Sequence, residues 1–159
     1  MIIPIFVSHE GCPYRCSFCN QTKITGTSEK ADKVMLEETL RTYLGGLDPD
    51  CMPETREVAF FGGSFTGIPS ERQEYLLSLV QPWILSGQIQ SIRVSTHALF
   101  IDETRLAMLR QYNVKAVELG IQSTDDDVLK LVGRECSFDV ILSAVEKIRG
   151  MGFRLGLQL

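Results

Sequence analysis

The sequence predicts an α/β protein built on a parallel sheet, and three observations carry that prediction. Short apolar runs read as five strands, the stretches between them repeat apolar residues at helical spacing, and cap residues and glycines mark the borders. Strand then helix, repeated, builds right-handed βαβ units and hence a parallel sheet. At 159 residues the chain suffices for one domain with a real core and is too short for two ordinary ones. A doubly wound sheet and part of a β/α barrel both fit this order, and in either the site lies at the carboxyl ends of the strands.

The first strand is Ile2 to Val7, followed by a long loop from Ser8 to Gly26. Ser28 is placed to cap a helix from about Glu29 to Leu44, whose buried stripe is Leu36, Leu40, Tyr43, Leu44 and Leu47, and Gly45-Gly46 stops it. Glu57 to Phe61 is the second strand and runs straight into Gly62-Gly63-Ser64. Ser70 and Gln73 form a capping box for a helix with Leu76, Leu77, Val80, Trp83 and Ile84 inward, and Pro82 should kink or shorten its last turn. Ile92 to Thr96 is the third strand, after which Asp102 caps a short helix with Leu106, Leu109 and Tyr112 inward. Ala116 to Ile121 is the fourth strand. Thr124 caps a short helix through Val132, and Ser137 opens another that buries Ile141, Ala144, Val145 and Ile148 and ends at Gly150 and Gly152. Arg154 to Leu159 begins the fifth strand.

The composition is 44% hydrophobic and 23% charged, with no apolar run near the length of a transmembrane helix, so a membrane role through spanning helices is not expected. Met1 to Val7 lacks basic residues and a cleavage site, so it reads as a strand and not as a signal sequence; a cytoplasmic location with reduced thiols is the expectation. A net charge of -4 gives no whole-surface field to attract a polyanion. This counts against nucleic acid, although a basic groove supplied from outside this chain would leave RNA open as a substrate.

Chemistry concentrates in Cys12-Pro13-Tyr14-Arg15-Cys16-Ser17-Phe18-Cys19, three cysteines spaced C-x3-C-x2-C after the first strand. Three thiolates this close can converge on one metal centre. A cubane iron-sulfur cluster needs four ligands, so three from the protein leave one iron open for another molecule. A zinc site would want a second pair of Cys or His ligands, and only Cys51 and Cys136 remain, far apart. A disulfide would leave one cysteine of the three over. Zinc and inert thiols stay as alternatives.

The cysteine spacing, Phe18 before the last cysteine, and the position after a first strand resemble the radical S-adenosylmethionine (radical SAM) enzymes. The resemblance implies a 4Fe-4S cluster on Cys12, Cys16 and Cys19, with S-adenosylmethionine on the open iron and cleaved reductively to a 5′-deoxyadenosyl radical. It also implies an electron donor such as flavodoxin or ferredoxin. For the fold it implies a partial (β/α) barrel over residues 1–159, and with five strands where the family has six, a fragment stopping after strand five is the expectation.

Gly62-Gly63-Ser64 falls where that family carries the glycine-rich motif that contacts the amino group of the cosubstrate, commonly Gly-Gly-Glu; a tight strand-to-helix turn is the plainer reading. Glu118-Leu119-Gly120-Ile121-Gln122-Ser123 is similar to a stretch shared by oxygen-independent coproporphyrinogen III oxidases and the catalytic subunit of Elongator-type tRNA-modifying enzymes. In the oxidases the matching glutamine and an arginine twelve residues later touch S-adenosylmethionine, which implies Gln122 and Arg134. Glu118 is placed to meet the cosubstrate ribose, a structural hydrogen bond being the competing role. Phe6, Ser95 and Gln158 stand where the oxidases carry tyrosine, glutamate and aspartate. These departures weigh against porphyrinogen chemistry and leave the cluster and cosubstrate positions in place; Phe61-Gly62-Gly63-Ser64-Phe65-Thr66 and Glu10-Gly11-Cys12-Pro13 look closer to the Elongator-like branch. His9 and His97, near strand ends, are placed to donate protons or bind substrate, a polar loop residue being the commoner role for each; Cys51 and Cys136 read as bystanders, and Asp125-Asp126-Asp127 as a run that favours the helix dipole. A zinc module and a catalytically dead scaffold are the competing readings of the whole chain.

Overall fold

A computed structural model describes residues 1–7, 10–20, 30–47, 53–134 and 136–159. Five strands, β1 (Ile2–Phe6), β2 (Glu57–Phe61), β3 (Ser91–His97), β4 (Val114–Gly120) and β5 (Arg154–Gln158), form one parallel sheet in the order β1-β2-β3-β4-β5. Between them run α1 (Lys33–Gly45), α2 (Ser70–Leu85), α3 (Glu103–Gln111), and the pair α4 (Asp126–Leu131) and α5 (Phe138–Gly150). Spatial order follows chain order, so every crossover steps the same way and, at a common right hand, lands on the same face of the sheet. A doubly wound sheet reverses its order at a switch point, and among the described residues this sheet does not. Of the two arrangements that the sequence allows, the barrel wall is the one formed.

Alternation along each strand then decides what faces what. Ile3 and Ile5, Val58 and Phe60, Ile92 and Val94, and Val117 and Leu119 are buried in one core with Leu36, Leu40, Leu76, Leu77, Leu106, Leu109, Ile141 and Ile148 of the helices. The residues between them turn to the other face and are polar, charged or small. There Arg93 bonds both Glu57 (2.8 Å) and Glu118 (2.5 Å), while Arg154 and Ser91 close on Glu57. Burial by itself would raise the Glu57 pKa, but the hydrogen bonds from Arg93, Ser91 and Arg154 outweigh it and hold the carboxyl down at about 2.

The local signals held at β2, at the Asp102 cap, which accepts the Arg105 N–H at 2.8 Å, and at the Ser137 cap of α5. Four differ. Helix α1 starts at Lys33 and is capped by Asp32, which accepts the Met35 N–H at 2.9 Å; Tyr43 is exposed. No capping box opens α2: Pro69 is its N-cap, and Gln73 is buried and donates to the carbonyls of Ile68 (2.6 Å) and Thr66 (3.3 Å). A buried amide is better used on those two carbonyls than on a solvated helix end. Helix α2 continues past Pro82 to Leu85, because a proline one turn from the end removes a single N–H and Trp83 and Ile84 still pack on the core. Asp125, not Thr124, caps α4, accepting from Asp127 and Val128. Ser28, His9 and Cys51 lie outside the described residues. Among the described residues no helix is long and apolar enough to cross a membrane.

Candidate active site

The cysteines leave β1 on a loop that is pinned at both ends. Gly63 has no Cβ; one there would lie 2.7 Å from the Val7 carbonyl oxygen and closer still to that of Glu10. Gly11, at φ +76°, would set a Cβ 2.7 Å from the Ile68 nitrogen. Glycine at both positions therefore lets the cysteine loop and the turn after β2 dock backbone to backbone, with the Ser64 N–H donating to the Glu10 carbonyl at 3.2 Å. Arg72 of α2 reinforces the joint by a two-pronged ion pair with Glu10. At the far end the Ser17 N–H donates to the Val132 carbonyl after α4 at 3.0 Å, and the Cys19 N–H to that of Cys16 at 2.9 Å.

A cavity of about 660 Å³ opens at the carboxyl ends of the strands, beside this loop. Cys12, Cys16, Phe18 and Cys19 line it from the loop side; Gly62, Gly63 and Ser64 from the turn after β2; Ser95, Glu118, Gln122 and Arg134 from the strands beyond. Every position singled out in the sequence as a site residue thus reaches one cavity. Gln158 lines it as well.

What each side chain does there varies. Ser64, 2% exposed, is bonded to Thr96 Oγ1 at 3.0 Å and accepts the His97 backbone N–H at 3.1 Å, so its hydroxyl joins the β2 turn to the end of β3. Ser95 and Glu118 are register partners, and Ser95 donates to a Glu118 oxygen at 3.2 Å while Arg93 holds the other. Gln122 takes φ +68°, a left-handed backbone uncommon outside glycine, and its N–H donates to the Gln158 carbonyl at 3.0 Å. A Cβ on Gly120 would sit 3.2 Å from Gln122 Nε2 and 3.5 Å from Arg134 Nη2, so the fold brings this glutamine and arginine to one spot. Arg134 is buried; it bonds the Gly120 carbonyl and reaches Cys16 Sγ at 3.9 Å.

The sequence reading undervalued His97 and passed over Tyr14. His97 is buried in the cavity wall, stacked on Tyr14 at 5.1 Å. Burial, then the nearby Arg134 charge, push its pKa down to about 4, so the ring is neutral. Its position at the end of β3, in line with Ser95, was the signal available. Cys136 does not line the cavity, and burial pushes its thiol up.

The donor set suits an iron-sulfur cluster. Cys12, Cys16 and Cys19 all stand on one wall of the cavity. Among the described residues no three His, Cys, Asp or Glu side chains gather round a single point as a lone zinc ion requires, whereas a cluster takes each thiolate on a different iron. Beside them a buried guanidinium, that of Arg134, has an Nε–H with no partner among the described residues, which suits an anionic ligand.

The chain matches the family model of the Radical SAM superfamily over residues 6–157, and it belongs to that superfamily. Members are enzymes that use a 4Fe-4S cluster and S-adenosylmethionine. Among curated proteins it is similar to the oxygen-independent coproporphyrinogen III oxidase of Paracoccus denitrificans, 26% identical over 94% of this chain and 34% of that one. The heme chaperone HemW of Bacillus subtilis is 21% identical over 89% of this chain and 38% of its own length. The chain thus spans little more than a third of these relatives. In fold it is similar to the archaeal Methanocaldococcus infernus Elp3 with an N-terminal deletion, with a TM-score of 0.69, 16% identity, and coverage of 98% of this chain and 36% of that one.

Proposed function

We propose that residues 1–159 form a radical SAM core domain in which Cys12, Cys16 and Cys19 hold a 4Fe-4S cluster and the adjoining cavity takes S-adenosylmethionine. The observation that carries the reading is the convergence of the cysteine loop and four strand ends on one cavity of about 660 Å³. When bound, the cluster and cosubstrate supply reductive cleavage of a sulfonium and a 5′-deoxyadenosyl radical for hydrogen abstraction.

The chain's own residues bind, orient and exclude water. Arg134 offers a charged donor to a carboxylate, and its place beside Cys16 sets that carboxylate next to the metal ligands. Gln122, which stands with Arg134 beside Gly120, would offer its amide to the same ligand. Glu118, fixed by Arg93 and Ser95, presents acceptor oxygens suited to ribose hydroxyls. Gly62 and Gly63 let the chain's backbone groups approach the amino group, while Phe18 and Phe61 supply apolar wall. An electron from a flavodoxin or ferredoxin, in a reducing cytoplasm, completes the requirement. Phe61 to Thr66 and Glu10 to Pro13 favour an Elongator-like relative, with RNA as the substrate class to try first; Ser95, Phe6 and Gln158 disfavour porphyrinogen.

Anaerobic reconstitution with iron and sulfide tests this directly. The expected result is a brown protein with about four iron and four sulfide per chain, lost in the Cys12→Ser, Cys16→Ser and Cys19→Ser variants. Zinc without sulfide, or full loading in the serine variants, refutes the reading.

A further inference from the structure

Among the described residues, two buried donors in the cavity wall have no partner. His97 is 3% exposed, and its Nδ1 accepts the Leu99 backbone N–H at 3.2 Å. A nitrogen that accepts carries no hydrogen, so the neutral ring keeps its proton on Nε2, and among the described residues Nε2 has no partner. Arg134 is 8% exposed; it uses Nη2 on the Gly120 carbonyl and turns Nη1 to Cys16 Sγ at 3.9 Å, and among the described residues its buried Nε–H has no partner. Buried donors are almost always satisfied, and two in the wall of one cavity call for an acceptor brought by a ligand. The imidazole is not free to swing elsewhere. Tyr14 stacks on it at 5.1 Å, Phe100 meets it edge-on at 6.0 Å, and its backbone N–H is held by Ser64 Oγ at 3.1 Å.

We propose that His97 is a ligand-binding residue of this cavity, its Nε2–H donating to the same carboxylate that Arg134 holds. The charge supports a carboxylate: one guanidinium and one neutral imidazole make a single positive charge, which matches a monoanion and falls short of a phosphate dianion. A neutral donor adds direction without a second charge beside the cysteines. The inference rests on S-adenosylmethionine being the cavity's ligand.

The test is equilibrium binding to the anaerobically reconstituted protein, with S-adenosylmethionine and with decarboxylated S-adenosylmethionine, which keeps the amine and sulfonium and lacks the carboxylate. His97→Ala is expected to weaken S-adenosylmethionine about tenfold or more, the scale of one hydrogen bond to a charged group, and to leave the decarboxylated compound unchanged. His97→Gln, whose amide nitrogen stands near the place of Nε2, is expected to recover most of the affinity. His97→Ala binding S-adenosylmethionine as wild type does, or losing both compounds equally, overturns the assignment. Wild-type protein that binds neither compound overturns the cosubstrate reading beneath it, and that failure is visible before any variant is made.

Discussion

Arg72 of α2 grips both carboxylate oxygens of Glu10, at 2.9 and 3.1 Å, two residues ahead of Cys12. The pair is largely buried, and the same guanidinium also bonds the Ala31 carbonyl. It ties the start of the cysteine loop to the helix layer, so its removal should act on the site through the loop. Arg72→Ala leaves the partly buried Glu10 without this partner, at an expected cost of about 1–3 kcal/mol. Urea unfolding measures that cost, and the same variant should retain less iron after reconstitution than Arg72→Lys does.

The glycines of the joint offer a sharper contrast. Gly63→Ala drives a Cβ into two backbone carbonyls of the cysteine loop, atoms that cannot rotate away. Overpacking of this kind costs about 1–3 kcal/mol, and cluster loading should fall with it. Gly150→Ala, at the end of α5 with open space around it, should be neutral or stabilising by up to about 1 kcal/mol. Equal effects of the two changes in urea denaturation would show that the loop does not dock as described.

Glu57 sets an acid limit on stability. Its folded pKa is held at about 2 against an ordinary value of 4.5, so the unfolded chain binds its proton first as pH falls. The stabilisation is whole above pH 4.5 and drains away between there and about pH 2. Glu57→Gln should flatten the pH dependence of unfolding free energy across that window and be less stable than wild type at pH 7. A wild-type profile that rises on acidification would contradict the network.

Much of this was legible in the sequence, for physical reasons. Strand β2 was readable to the residue because an apolar run ends in two glycines, and the cysteine spacing pointed to metal before any fold was known. Gln73 was misread because a capping box is a local pattern, while the pull on its amide comes from carbonyls that the turn after β2 delivers. Asp125 displaced Thr124 because neighbouring cap residues compete and only the backbone path decides between them. His97 was given little weight for a deeper reason. Its tautomer is set locally by the Leu99 N–H, but the stacking of Tyr14 on its ring and the Arg134 charge beside it come from residues distant in the chain.

Arg134 joins the cysteine wall to the cavity, and a charge-preserving change should separate its two contributions. Arg134→Lys keeps one positive charge and loses the planar fork, so cluster loading should persist while S-adenosylmethionine binding weakens by about tenfold or more. Iron analysis and equilibrium dialysis on the same sample decide the matter. Loss of the cluster in the lysine variant would place Arg134 with the structural residues of the loop.

The most direct test of the whole account is chemical. Reconstituted protein, reduced anaerobically with dithionite and given S-adenosylmethionine, is assayed for 5′-deoxyadenosine and methionine. The account predicts both products from the wild type and neither from a variant with Cys12, Cys16 and Cys19 all changed to serine. A fully loaded 4Fe-4S protein that binds S-adenosylmethionine and leaves it intact on reduction would contradict it.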